Sequence, residues 1–300
     1  MARHRNRALI LSATAALGAF LFVLPVSAGD SPAGFWYGSD SSAPDAQGSS
    51  PPYTEPVTGG TYGGYAGEIT TWSDLYCGTS GRAMNEPNVS KSYTNNLNYG
   101  VPGTSLYYYM AGPGLDPSYN GTNSEAYAWG QRQANDVINQ EIAWTGGYNT
   151  LVMPVIWMDI ESNSITGLSN GWNEWSKNCD QTAYQYGIPS SVDRNTFNGY
   201  FDTMTSHGLA GGVYSAPAFW NSVFGTGSYG QIPNTWEWTY EGSAAQASPG
   251  PSGWCTGSIC ATFFGGQSSG SSHAILWQWT INPSQGDFDQ MDQNRMPAGW

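Results

Sequence analysis

Asp159 and Glu161 close the apolar run Leu151-Val152-Met153-Pro154-Val155-Ile156-Trp157-Met158, with Ile160 between them. A short, β-rich and continuously apolar stretch predicts a strand covered on both faces. Side chains alternate along a strand, so the two acids share one face and Ile160 takes the other. At about 3.3 Å rise per residue they stand roughly 6–7 Å apart, close enough to perturb each other's ionisation. Such a pair can divide its work. One carboxyl can stay protonated as a proton donor while its partner remains ionised. In parallel barrels active sites gather at the carboxyl ends of strands, where this pair falls. An acid at a strand end also caps helices or pairs with arginine, and that plainer reading stays open.

The surrounding chain must position the pair. Gly34-Phe35-Trp36-Tyr37-Gly38-Ser39-Asp40 predicts a short first strand ending in an acid, and Ser41 to Gly64 reads as loop. Thr104 to Met110 is an aromatic strand candidate, stopped by Gly112-Pro113-Gly114. Thr122-Asn123-Ser124-Glu125 is a capping box that opens a helix to about Trp144, with Ala134, Val137, Ile138 and Ile142 at helical spacing and Gly146-Gly147 as its stop. A polar loop holding Cys179 follows the acid-bearing strand. Asn195 to His207 then predicts a second helix, ended by Gly208, and Leu209 to Tyr214 another strand. Beyond it, Thr235 to Tyr240, Ala261 to Phe264 and Ala274 to Thr280 read as strands with no clear helix between them. The order is βα early and bare strands late, with no repeat and no linker, so a single barrel-like α/β domain is expected.

Composition narrows the partners. Charged residues are 10% of the chain, against about 25% in typical globular proteins. Tyr and Trp reach 19 and 14. Arg3, Arg5 and Arg7, an apolar core from Ala8 to Val26 and the small-residue site Val26-Ser27-Ala28 read as a signal peptide over residues 1–28, expected to leave a secreted domain over 29–300, with an uncleaved membrane anchor as the alternative. Losing the three arginines takes the formal net charge from −13 to −16. That acidity argues against nucleic acid, which rewards basic surfaces. Neutral glycans, met by aromatic faces and amide groups, fit better. No second long apolar stretch follows, so no stable membrane association is expected once the signal is cleaved, and a monomer is expected.

Four cysteines in an exported chain point to disulfides, with three pairings open; the favoured one has Cys255 with Cys260 closing a small loop and Cys77 with Cys179. Zinc is disfavoured, since no CxxC pair occurs and only His207 and His273 remain after cleavage. No metal and no cofactor is expected. The acidic run Asp287-Phe288-Asp289-Gln290-Met291-Asp292 reads as a solvated loop, and it lacks the glycine that an EF-hand calcium loop needs.

Four short motifs, taken in chain order, resemble the glycoside hydrolase family 25 lysozymes. They are Gly38-Ser39-Asp40, the acid pair, Gly211-Gly212-Val213-Tyr214-Ser215 after a helix, and Leu276-Trp277-Gln278-Trp279 before the acidic run. The resemblance is closer to the glycoside-hydrolase-like domains of secreted actinobacterial proteins, and it spans most of residues 34–296. It implies an irregular TIM-type barrel: five βα units followed by three strands with little helix. It makes Glu161 the proton donor, Asp159 the support for the reacting sugar or its N-acetyl group, Asp40 the acid of the first strand, and Asp292 the acid of the last, with Asp287 and Asp289 as alternatives. The first strand departs from the family in carrying Ser39 and Ser41 where aliphatic residues are usual. Trp157, Tyr214, Trp277, Gln278 and Trp279 are expected to line the sugar site.

Two functions follow from this. One is a secreted, retaining, lysozyme-like hydrolase of N-acetylhexosamine glycan, peptidoglycan above all. The other is a barrel that binds cell-wall glycan without turnover. A disulfide-stabilised surface protein without a cleft is a third.

Overall fold

The computed structural model describes residues 35–41, 64–68, 103–145, 155–161, 171–176, 184–225, 236–240, 276–280 and 287–292. Its main strands are β1 (Phe35–Ser41), β2 (Gly64–Glu68), β3 (Gly103–Tyr109), β4 (Val155–Asp159), β7 (Ala210–Ser215), β8 (Trp236–Tyr240), β9 (Leu276–Thr280) and β10 (Asp287–Asp292). These eight join edge to edge in the order β1-β10-β9-β8-β7-β4-β3-β2, and the ring closes. All neighbours run parallel except β10, which is antiparallel to both β9 and β1. A small hairpin, β5 (Glu174–Ser176) with β6 (Tyr184–Tyr186), stands apart from the ring. The expected strand at Ala261 to Phe264, the signal segment, the stop at Gly146-Gly147 and all four cysteines lie outside the described residues.

The first helix, α1 (Asn123–Thr145), starts where the capping box puts it. The Thr122 hydroxyl accepts the Glu125 amide at 3.3 Å. The reciprocal half of the box does not form, because Glu125 reaches Arg132 instead at 3.2 Å. The second helix, α2 (Ser190–Ser206), begins five residues earlier than expected, with Pro189 as its N-cap. Ser190 followed three residues later by Asp193 was the available start signal. Its end is the expected one: the Gly208 amide bonds to Thr205 O and the Leu209 amide to Met204 O, with Gly208 at φ +82, which is a Schellman stop. A third helix, α3 (Pro217–Phe224), was not anticipated, although Pro217 at its first position and Gly225 after its end are ordinary boundary residues. The acidic run read as a loop is a strand. It is inserted between β1 and β9, paired antiparallel with both.

The two faces of the sheet are told apart by register. Leu106, Tyr108, Ile156, Met158, Ile160 and Val213 point outward and pack with Val137, Ile138, Phe197, Tyr200 and Met204 of the helices. Tyr107 and Tyr109, Trp157 and Asp159, and Gly212 and Tyr214 take the alternate positions and face the barrel interior. Burying each large apolar side chain of the outer layer contributes about 1.5–3 kcal/mol. That layer holds β4 in place.

Helices α1 and α2 meet at two glycines. A Cβ on Gly130 would lie 1.9 Å from Thr196 O, and one on Gly199 2.0 Å from Tyr127 O. Gly199→Ala gains up to about 1 kcal/mol in helix propensity. It also forces two backbones apart, an overpacking cost of about 1–3 kcal/mol or more. The clash wins, since neither carbonyl can swing aside. The urea midpoint of Gly199→Ala is therefore expected to fall, and a midpoint at or above the wild type would contradict this crossing.

Candidate active site

All five residues of β4 are buried. Its interior row begins with Trp157, whose indole nitrogen donates to Ser105 Oγ of β3 at 3.0 Å. The room for that indole comes from Gly212: a Cβ there would sit 2.9 Å from Trp157 Cε3 and 2.3 Å from Val155 Cγ2. Gly211 plays the opposite part, lying against Phe201 of α2. The Gly211-Gly212 pair of the sequence is thus two close approaches, one on each face of β7.

One step nearer the carboxyl end, Tyr109, Asp159 and Tyr214 stand level on β3, β4 and β7. Asp159 is 4% exposed and Tyr214 7%. The ladder continues past the strand itself. The Met110 amide donates to Asp159 O at 2.8 Å, the Ile160 amide to Tyr214 O at 2.9 Å, and the Ser215 hydroxyl to Ile160 O at 2.6 Å. Ile160 is fully buried in the outer core, while Glu161 is partly exposed. Asp159 is thus enclosed at the end of β4, and Glu161 follows two residues beyond it, partly exposed.

Backbone register locates the other acids. Asp40, near the carboxyl end of β1, is level with Ala66 and Asp287. Asp289 is level with Gly38 and with Gln278. Asp292 is level with Phe35, at the far end of β1 from Asp40. Trp277 pairs with Gln290 on β10 and with Thr239 on β8, and Trp279 follows on the same strand as Gln278. Gln278 is 4% exposed and accepts the Tyr214 hydroxyl proton on Oε1 at 2.5 Å.

Sequence reasoning missed the scaffold that fixes the β3–α1 connection beside this end. Gln133 bonds both ways to Ala111, accepting its amide at 2.9 Å and donating to its carbonyl at 3.0 Å. The Trp129 and Trp172 indoles donate to Gly112 O and Met110 O. Asp116 pairs with Arg132 at 2.7 Å, and that guanidinium also lies 5.4 Å from the Trp129 ring centre. Burial raises the Asp116 carboxyl above its usual range, although the Ser118 amide and Arg132 pull against it. Also missed was Asp193 in the first turn of α2, fully buried, whose carboxyl burial pushes up to about 8. Only its spacing from Ser190 marked it, and spacing does not show burial. Among the described residues no group of three His, Cys, Asp or Glu could hold a metal ion, and no helix is long and apolar enough to cross a membrane.

The chain matches no protein-family profile and no curated protein. It is similar to solved structures. The Clostridium perfringens spore cortex lytic enzyme SleM superposes with a TM-score of 0.51 at 12% identity, over 88% of this chain and 69% of that one. A family GH25 lysozyme from Aspergillus fumigatus does so with a TM-score of 0.50 at 15% identity, over 87% and 97%. Identities this low speak for the fold. The likeness is one of fold: the chain shares its overall fold with a family GH25 lysozyme and a spore cortex lytic enzyme.

Proposed function

We propose that this protein is a secreted, lysozyme-like glycoside hydrolase that cleaves N-acetylhexosamine-containing glycan, peptidoglycan first, with retention. The observation that carries this reading is the Asp159–Glu161 pair at the carboxyl end of β4, in a fold shared with a lysozyme and a spore cortex lytic enzyme. Glu161, the more exposed acid, donates the proton to the departing oxygen. Asp159 stabilises the positive charge that develops on the reacting sugar, directly or through its acetamido group. Asp40 and one acid of β10 complete the constellation. Asp292 is the choice from sequence, and the register of Asp287 with Asp40 supports Asp287 in its place. Trp157 and Tyr214 help to wall the site, with Trp277 and Trp279 of β9 as sugar platforms. The architecture is an irregular TIM-type barrel of five βα units and three further strands, formed by residues 29–300 after removal of 1–28. It acts as a monomer and without a cofactor. Cys77 pairs with Cys179 and Cys255 with Cys260.

Purified peptidoglycan and chitooligosaccharides incubated with the protein expressed from the full chain are expected to gain reducing ends. Retention on the same glycan with no new reducing ends would replace the hydrolase with a barrel that only binds.

A further inference from the structure

We propose that Gln278 is a positioning residue: by taking the Tyr214 hydroxyl across β8, it fixes the Tyr214 ring as one wall beside Asp159. This role rests on the hydrolase reading above. Strand β8 lies between β7 and β9 in the ring. Tyr214 is level with Trp238 of β8, Trp238 with Leu276 of β9, and Gln278 lies two residues further along β9. The hydroxyl therefore spans an entire strand to reach its acceptor, inside the barrel, with both side chains almost fully buried. A phenol has one proton, and here Gln278 holds it. Sequence reasoning offered both residues to the sugar, whereas the structure shows the Tyr214 hydroxyl bonded to Gln278.

The consequence falls on Asp159. Neighbouring strands are about 4.8 Å apart, and Tyr109 and Tyr214 flank Asp159 at the same level. A tyrosine anchored at its hydroxyl loses the swing of its ring, so the carboxylate keeps its place and water is kept from that side. Displacing a reacting group by about 1 Å costs on the order of 100-fold in rate, so a released ring should be felt in kcat.

The test compares Tyr214→Phe, Gln278→Leu and the double variant, measuring kcat and KM on chitooligosaccharides together with Tm. Each single variant is expected to lose about 10-fold or more in kcat with KM held within about threefold. The double is expected to fall no further than the worse single, because both remove one interaction. Tyr214→Phe keeps the ring volume, so the test survives if Gln278→Leu folds poorly. A higher KM at unchanged kcat would make the two residues sugar contacts and overturn the proposal. A lower Tm at unchanged kcat would make them a structural brace and overturn it equally. Wild-type turnover with indifferent variants removes this role alone, whereas a wild type without turnover removes the hydrolase reading and the role together.

Discussion

Asp159→Asn is expected to lower turnover by about 10²–10³-fold while leaving thermal stability equal to the wild type or slightly higher. Asparagine keeps the shape of the side chain and removes only its charge. If Asp159 stabilises positive charge in the transition state, the loss falls on kcat, because electrostatic stabilisation in an enclosed site is worth far more than in water. The position is 4% exposed, set between Tyr109 and Tyr214, so a charge there carries a desolvation cost that asparagine does not. Catalytic and structural roles thus predict opposite signs. Melting curves and initial rates on one preparation separate them. A fall of several degrees in Tm with rates preserved per folded molecule would make Asp159 a structural partner and withdraw it from the mechanism.

Asp193→Asn should flatten the pH dependence of stability between about pH 4 and pH 8. The carboxyl is fully buried on the first turn of α2, and the hydrogen bond it accepts comes from the Asn173 amide at 3.4 Å. Asn173 is itself a junction: its carbonyl accepts the Gly187 and Ile188 amides, and its side chain donates to Ser222 O. Burial lifts the Asp193 carboxyl to about 8 from the ordinary 3.8, against the small opposing pull of the Asn173 amide. Between those limits the folded protein holds a proton that the unfolded chain has released. Stability from this group is therefore fully present below about pH 4 and is lost as pH rises to about 8. A tenfold change in proton affinity corresponds to about 1.4 kcal/mol, so the whole span is on the order of several kcal/mol. The Tyr119 phenol is itself raised, first by burial and then by the charge of Asp193, and so titrates above this window. Urea unfolding at pH 5 and pH 8.5 should show the wild type losing several kcal/mol more than Asp193→Asn over the interval. Parallel losses in the two proteins would mean that the buried carboxyl does not set the profile.

How far the chain could be read from its residues follows from which forces are local. The acid-bearing strand was legible because β4 is covered on both faces, so its apolar run had no other explanation. Helix α1 was legible because Thr122 and Glu125 mark its start whatever packs against it. What escaped depends on partners far along the chain. The Gly64–Glu68 segment has too little apolar content to declare a strand, and only β1 and β3 on either side make it one. The acidic β10 is a strand because two strands flank it, and its charges gave the opposite local signal. At the site, residue types suggested that Tyr214 and Gln278 would meet sugar. No spacing rule could show that a hydroxyl on β7 reaches an amide on β9. The order of Asp287, Asp289 and Asp292 against Asp40 was hidden for the same reason, since an antiparallel register is a property of two strands.

The most direct test of the proposed chemistry is reducing-end release from purified peptidoglycan by the wild type and by Glu161→Gln, side by side and at equal folded concentration. Glutamine keeps the length and polarity of the side chain and removes the acidic proton, so release by the wild type should fall by about 10²–10⁴-fold in the variant. Equal release from both proteins would contradict the assignment of Glu161 as the proton donor and, with it, the paired-carboxylate mechanism proposed for β4.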